Sequence, residues 1–167
     1  MTNVYDFVTN SNLFKKFEVN DLLFVEYKCL FPDNKVAYWT SSNYFIYVLG
    51  GRKRYVSGNN EYLIEVGEGI FIKRGVYVAE RFDNEDFCAL VIFVPDNFIE
   101  SITKKYAALY PGKHRPTTGD SIIRLNMDEA FSSYFHSVLS YFPKSVSPPG
   151  ELLVIKFEEL IVNILTS

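Results

Sequence analysis

The residue types that most often carry out chemistry in proteins are sparse in this sequence. Its two histidines are His114, in a loop flanked by Pro and Gly, and His136, beside Ser137 in a helical pattern. A metal site in a small β-barrel needs three or four ligands that converge from neighbouring strands, and neither histidine falls on a strand pattern. We therefore expect no bound metal, no cofactor and no catalytic residue, and we expect that the protein is not an enzyme.

Two further features could be mistaken for reactive sites. Cys29 and Cys88 lie far apart, each inside an apolar run, which indicates free thiols in a reducing compartment rather than a disulfide. The segment Gly67-Glu68-Gly69 is similar to a phosphate-binding loop, but it joins two strand patterns and no helix follows it. We interpret it as a turn.

The composition is that of one globular domain with little affinity for polyanions. The chain has 167 residues, of which 48% are hydrophobic and 22% charged, and its net charge is −3. Nucleic-acid binding depends largely on Lys and Arg, and the short basic clusters, such as Arg52-Lys53-Arg54, are interpreted as solvated turns. No signal-peptide pattern and no run long enough to span a bilayer is present, so we expect a cytoplasmic protein without membrane contact.

The elements that must position any site begin with a series of short strands. Aromatic and β-branched runs recur between turn residues such as Gly50-Gly51 and Gly58-Asn59-Asn60. The predicted strands cover residues 22–31, 36–39, 43–49, 52–57, 61–66, 70–74, 76–82 and 87–94. This spacing is typical of a sandwich or barrel. The last strand is apolar on both faces, which predicts a central position in its sheet.

The pattern changes to helices after Pro95. One helix is predicted over residues 95–110, a second begins after an Asp128 cap, and a third runs from about residue 150 to the end, with a short strand over 121–125. The predicted fold is mainly β with C-terminal α. Residues 1–94 form the barrel and residues 95–167 a helical annex within one structural unit.

The last helix carries apolar residues on two sides. Seven of them share one arc of a helical wheel: Leu153, Val154, Phe157, Leu160, Ile161, Ile164 and Leu165. On the opposite, polar side, Ile155 and Val162 are seven residues apart. One interpretation is a single wide amphipathic helix that buries both sides. The other is a seam for a second copy of the helix, formed by Leu152, Ile155 and Val162 and rimmed by Glu158 and Glu159.

The order of these features resembles a known family. A β-barrel is followed by Pro-Asp-Asn-Phe-Ile (residues 95–99), a second amphipathic helix, a proline linker and Lys-Phe-Glu-Glu-Leu-Ile (156–161). Tyr-Val-Leu-Gly-Gly (47–51) and Val-Gly-Glu-Gly-Ile-Phe-Ile-Lys-Arg-Gly (66–75) match its hairpin and strand–Gly-Glu–strand signatures. The chain resembles the N-terminal regulatory domain of AraC-type bacterial transcription regulators, and most of all the type III secretion activator group.

The resemblance implies both a fold and a function. The fold would be a double-stranded β-helix (cupin) barrel followed by two to three helices. The domain would sense a small-molecule effector or a regulatory protein and form a homodimer through the last helix, while a C-terminal pair of helix-turn-helix motifs binds DNA. The sequence stops at Ser167 without a recognition helix, so we expect an excised domain whose contact with DNA depends on a missing part.

Two questions stay open at the level of the sequence. The expected liners of a ligand pocket are Tyr44, Ile46, Tyr62, Ile64, Ile72 and Val78, although side chains alone can fill so small a barrel. The alternative function is a free-standing, metal-free cupin that binds or isomerises a sugar-like small molecule. Isomerisation would require a general base, for which Tyr or Glu could serve. A free-standing sugar-binding cupin would have a last helix with only one buried face.

Overall fold

The described part of the chain, in a computed structural model, covers residues 1–28, 34–109, 120–144 and 146–166. Its strands are β1 (Thr2–Asn3), β2 (Lys15–Val19), β3 (Leu22–Lys28), β4 (Lys35–Thr40), β5 (Asn43–Gly50), β6 (Lys53–Ser57), β7 (Asn60–Ile64), β8 (Gly69–Ile72), β9 (Gly75–Arg81), β10 (Cys88–Val94) and β11 (Ile122–Arg124). Its helices are α1 (Val4–Asn10), α2 (Asp96–Lys105), α3 (Glu129–Leu139) and α4 (Gly150–Thr166). Cys29 and His114 lie outside the described residues. The helix predicted over 95–110 ends at Lys105 and is followed by a short 3₁₀ turn, Ala107–Leu109.

The strands form two sheets. The five-stranded sheet has the order β1-β4-β9-β6-β7, and the six-stranded sheet has the order β11-β8-β5-β10-β3-β2. Only β1 and β4 pair in parallel; the other described pairs are antiparallel. The fold is therefore mainly β, as predicted. Within the described residues, no hydrogen-bonded strand pairing closes the two sheets into one barrel.

The central strands β5 and β10 of the six-stranded sheet are buried on both faces because nearly all of their residues are apolar. On β5, Tyr44 and Ile46 point into the core between the sheets, which we call the inter-sheet core. Phe45 and Tyr47 point into the core beneath the helices, which we call the sheet–helix core. Strand β10 pairs with β3 and β5, so its predicted central position is confirmed.

Helices α2, α3 and α4 cover the outer face of this sheet. The Asp128 carboxylate accepts a hydrogen bond of 2.9 Å from the Phe131 amide and caps α3, as the sequence predicts. At the centre of α4, the fully buried Phe157 packs its ring 4.2 Å from that of Phe24 on the sheet. No helix in the described ranges has both the length and the apolarity needed to cross a bilayer.

The N-terminal elements α1, β1 and β2 are not among the sequence predictions. The Lys16 ammonium donates hydrogen bonds to the carbonyl oxygens of Val8 and Ser11, each at 2.9 Å. A cation favours the carbonyl end of a helix, so this contact holds α1 against the sheets. A seven-residue helix shows too few turns for its periodicity to be read from sequence.

The turn predicted at Gly50-Gly51 has a steric basis. Gly51 has φ of +72°, and a Cβ atom there would lie 2.7 Å from the Asp86 carbonyl oxygen. Both the dihedral angle and the close approach favour glycine. The turn leads from β5 of one sheet to β6 of the other, so it carries the chain across the inter-sheet core.

Candidate functional site

A cavity of about 50 Å³ lies in the inter-sheet core. Its walls come from both sheets and from α1, and most of them are apolar or aromatic. Representative liners are Val8, Val36, Tyr44, Ile46, Val91 and Phe93. Mainly apolar walls with a few polar groups are typical of a small-molecule site.

A pair of tyrosines supplies hydroxyl groups to this cavity. Tyr38 on β4 and Tyr44 on β5 face each other across the two sheets, and their Oη atoms are 2.5 Å apart. Burial raises the pKa of both phenols well above the ordinary value. Both groups are therefore neutral at physiological pH. One hydroxyl hydrogen joins the pair, and the second stays available as a donor.

Two cationic side chains also line the cavity. Lys53 on β6 and Arg81 on β9 are directly paired across the five-stranded sheet. Only 7% of Lys53 is exposed, and its Nζ atom lies 4.6 Å from the centre of the Phe87 ring and 5.4 Å from that of Tyr27. The interpretation of Arg52-Lys53-Arg54 as a solvated turn is therefore wrong for Lys53. Strand alternation turns its side chain inward.

Helix α1 closes part of the cavity wall. Val4 and Val8 lie on α1 and line the cavity beside the tyrosine pair. The position of this helix depends on Lys16, which binds the carbonyl groups at its end. The N-terminal segment thus contributes directly to the shape of the cavity.

A second surface of interest is the outer face of α4. Ile155 is 57% exposed, and Leu152 and Val162 are half-buried. Glu159 is exposed and lies 3.0 Å from the Lys156 ammonium. The three apolar positions and Glu159 follow one another at spacings of three, four and three residues, in the order Leu152, Ile155, Glu159 and Val162. This spacing places them along one side of the helix.

The inner face of α4 faces the molecule's own core. Leu153, Phe157, Leu160 and Ile161 are buried there. Glu158 also interacts within the molecule, since its carboxylate accepts hydrogen bonds of 3.1 Å from Lys105 and Tyr106 at the end of α2. The structure thus turns Glu158 towards α2 and leaves Glu159 beside the exposed Ile155.

The described residues do not assemble a metal site. No three His, Cys, Asp or Glu side chains converge within the described ranges. His136 is exposed, and its Nε2 atom lies 3.4 Å from the Tyr47 hydroxyl. Its neighbour Ser137 donates to the Tyr134 carbonyl and accepts from Lys156. Ser137 and His136 thus have separate structural partners.

Comparison with known proteins identifies the family. A family model described as the ExsA N-terminal regulatory domain matches residues 43–167. The chain belongs to the family of ExsA N-terminal regulatory domains. This confirms the resemblance to AraC-type regulators seen in the sequence. A search of curated proteins found no match.

Solved structures show the same fold in other AraC-type regulators. This ExsA-type domain is similar to apo ToxT K231A from Vibrio cholerae, with a TM-score of 0.62 and 14% identity over 87% of this chain and 56% of that one. It is similar to the AraC-like transcriptional activator CuxR, with a TM-score of 0.58 and 13% identity over 92% of this chain and 55% of that one. A ToxT structure with bound unsaturated fatty acid gives a TM-score of 0.55 at 14% identity, over 87% and 56% of the two chains. The domain thus spans about half the length of these regulators.

The structure brings two of the six expected pocket residues of this ExsA-type domain to the cavity. Tyr44 and Ile46 line it. Ile64 and Ile72 are fully buried in the inter-sheet core but lie outside the cavity lining, and the half-buried Tyr62 packs against that core.

Val78 lies on the opposite side of its strand from the cavity. On β9, Tyr77 and Ala79 are buried and belong to the inter-sheet core, whereas Val78 is half-buried. Alternation along the strand therefore turns Val78 outward. Residues that the sequence analysis did not select, Tyr38, Lys53, Tyr55 and Arg81, line the cavity instead. Alternation from Tyr55 would have indicated Lys53.

Proposed function

We propose that this domain senses a signal and dimerises on behalf of an AraC-type transcription regulator in the cytoplasm. Membership of the ExsA family and the fold shared with ToxT and CuxR support a regulatory role. DNA binding would belong to a separate C-terminal domain, which agrees with the net charge of −3. We further propose that the two facing sheets are a cupin-type barrel.

The observation that carries the dimerisation proposal is the arrangement of α4. The inner face of α4 is buried in the sheet–helix core, whereas Ile155 on the opposite face is 57% exposed. A second copy of the helix, packed along Leu152, Ile155, Glu159 and Val162, would remove this apolar surface from water. Burial of such a seam is the usual driving force for helix pairing.

The cavity supports the sensing part of the proposal. It lies in the inter-sheet core, and its lining combines apolar walls with neutral phenols and cations. Such a site fits a small-molecule effector better than a protein partner, because the cavity lies between the two sheets and is too small to admit a protein segment. A regulatory protein would instead have to bind an outer surface.

Sedimentation velocity tests the dimer. We expect the unaltered domain to sediment as a dimer and the Ile155→Asp/Val162→Asp variant as a monomer with an unchanged circular dichroism spectrum. The matched control is Ser101→Asp/Thr103→Asp, which adds the same two charges at exposed positions of α2 and should leave the dimer intact. A dimer that survives the α4 substitutions would contradict the proposal.

A further inference from the structure

The start of helix α2 is tied to the strands by polar side chains. Asp96, the first residue of α2, accepts a hydrogen bond of 2.5 Å from the side-chain amide of Asn43 on β5. Asn43 is buried, and its side-chain oxygen accepts a hydrogen bond of 3.0 Å from the backbone amide of Arg74, just before β9. The Arg74 guanidinium in turn lies 3.3 Å from the Asp96 carboxylate. These three residues form what we call the polar junction, where β5, the turn before β9 and α2 meet.

The polar junction adjoins the tyrosines of the inter-sheet core. Tyr44 follows Asn43 on β5 and lines the cavity, with its hydroxyl 2.5 Å from that of Tyr38. The ring of Tyr77 stacks on that of Tyr38 at 5.9 Å, and the Tyr77 hydroxyl donates a hydrogen bond of 2.5 Å to the carbonyl of Lys73. A displacement of these phenols therefore reaches the junction along two stretches of backbone, one on each side of it.

The other end of α2 is tied to α4. The Lys105 ammonium and the Tyr106 hydroxyl each donate a hydrogen bond of 3.1 Å to the carboxylate of Glu158. Between the two ends, the Phe98 ring packs edge-on against that of Phe157, with 5.9 Å between their centres. Helix α2 is thus fixed to the strands at its start and to α4 at its end.

The geometry of α2 suits it to transmit a displacement. Its ten residues span about 15 Å, and a short helix without a break moves as one body. Glu158 directly precedes Glu159 and lies three residues after Ile155, so it shares its turn of α4 with the outer face. Shifts of about 1–2 Å in helices at subunit interfaces are a common form of regulation.

We propose that α2 couples the inter-sheet cavity to the outer face of α4, so that a change at the Tyr38–Tyr44 pair alters dimerisation at a distance. This inference rests on the proposed sensing and dimerising function and specifies how the dimer is regulated. An effector that favours the position of α2 found in the dimer strengthens dimerisation. Because such coupling is reciprocal, dimerisation strengthens the binding of that effector by the same factor.

Dimer dissociation constants from sedimentation equilibrium test the coupling. Lys105→Met/Tyr106→Phe removes the hydrogen bonds to Glu158, and Asp96→Ala removes the one from Asn43. Each change should weaken the dimer by about threefold to tenfold, because α4 is no longer held from the far end of α2. When the two changes are combined, the loss should equal that of one alone, since a single link can be interrupted only once.

Two matched controls separate this effect from a general loss of stability. Lys104→Met removes the neighbouring exposed lysine of α2, and Asp128→Ala removes the cap of α3. Both should leave the dissociation constant unchanged. The inference is wrong if Asp128→Ala weakens the dimer as much as Asp96→Ala does, or if the losses from the two ends of α2 are additive.

The variant Tyr44→Phe tests the cavity end of the link. It removes the hydrogen bond to Tyr38 and leaves the outer face of α4 unaltered. It should weaken the dimer about threefold in the otherwise unaltered domain, and it should have no effect once Lys105 and Tyr106 are substituted. An equal effect in both backgrounds would overturn the inference.

A monomeric form of the domain distinguishes this inference from the dimerisation proposal. In Ile155→Asp/Val162→Asp, amide hydrogen exchange over residues 157–161 reports how firmly α4 is held. Asp96→Ala should speed this exchange about threefold, and the increase should vanish in the presence of Lys105→Met/Tyr106→Phe. That result supports the link even if the unaltered domain sediments as a monomer, whereas exchange that does not respond to Asp96→Ala would contradict it.

Discussion

The inter-sheet core and the sheet–helix core share one sheet but differ in chemistry. The sheet–helix core is built almost wholly from apolar side chains, with Phe24, Phe135 and Phe157 fully buried. The inter-sheet core contains the Tyr38–Tyr44 hydrogen bond and the buried cation of Lys53 around a cavity. Burying polar groups is unfavourable unless they find partners, and we propose that the side with the cavity and these polar groups is the one that binds an effector. The other side is left to stabilise the fold.

The largest effect is expected in the sheet–helix core. Phe157→Ala removes a fully buried ring that contacts Phe24 and Phe98, and should lower the free energy of unfolding by about 3–5 kcal/mol. Urea denaturation at low protein concentration measures it. Ile155→Ala, on the exposed face of the same helix, should change this free energy by less than about 0.5 kcal/mol. Similar losses for the two variants would remove the distinction between the faces of α4.

Alkaline pH should weaken both cores. Burial raises the pKa of Tyr38 and Tyr44 in one core and of Tyr134 in the other. In the unfolded chain these phenols ionise near 10.0. Their contribution to the free energy of unfolding is therefore fully present below that pH, and it is lost as pH rises towards their higher folded-state pKa. Urea denaturation at increasing pH should show stability falling above pH 10. The fall should be shallower in Tyr134→Phe and in Tyr38→Phe/Tyr44→Phe, whereas an identical slope in all three proteins would refute the assignment.

The tyrosine pair gives a sharper test of the inter-sheet core. Tyr44→Phe leaves the buried Tyr38 hydroxyl without its 2.5 Å partner and should cost about 1–3 kcal/mol of unfolding free energy. The double variant Tyr38→Phe/Tyr44→Phe should lose less than the two single variants added together. Thermodynamic cycles from urea denaturation give the coupling. Strict additivity would mean that the two hydroxyls do not interact.

The smallest effect is expected at the edge of the helical layer. Asp128→Ala removes the hydrogen bond to the Phe131 amide and should lower the free energy of unfolding by about 1 kcal/mol. Glu129→Ala, one residue further on, also removes an acid but no cap, and alanine favours the helix. Its effect should therefore be smaller. Calorimetric melting temperatures compare the two variants.

The sequence predicted the sheet–helix core better than the cavity. Strand β10, the Asp128 cap and the two faces of α4 follow from apolar periodicity and capping chemistry, which are local properties. On β5, the sequence correctly predicts that the side chains of Tyr44 and Ile46 face inward. On β9, the prediction that Val78 faces inward is wrong, because Val76 to Ala79 are all apolar and show no alternation by themselves.

The polar part of the cavity depends on tertiary structure that local patterns do not contain. Lys53 lies between two arginines in the sequence, and a basic triplet normally indicates side chains that are exposed to solvent. Its burial depends on Tyr27 of β3 and on Phe87, the residue before β10, and both are distant from Lys53 in sequence. The pairing of Lys53 with Arg81 likewise joins residues of β6 and β9 that are separated by two further strands along the chain. Neither contact can be read from spacing.

We propose that the inner face of α4 stabilises the fold and that its outer face binds a second copy of the domain. The most direct measurement is the urea midpoint of the unaltered domain and of Ile155→Asp/Val162→Asp over a range of protein concentrations. Because dimerisation stabilises the folded state by mass action, the midpoint of the unaltered domain should rise with concentration, and that of the variant should stay constant. A midpoint of the unaltered domain that does not change with concentration would contradict the account.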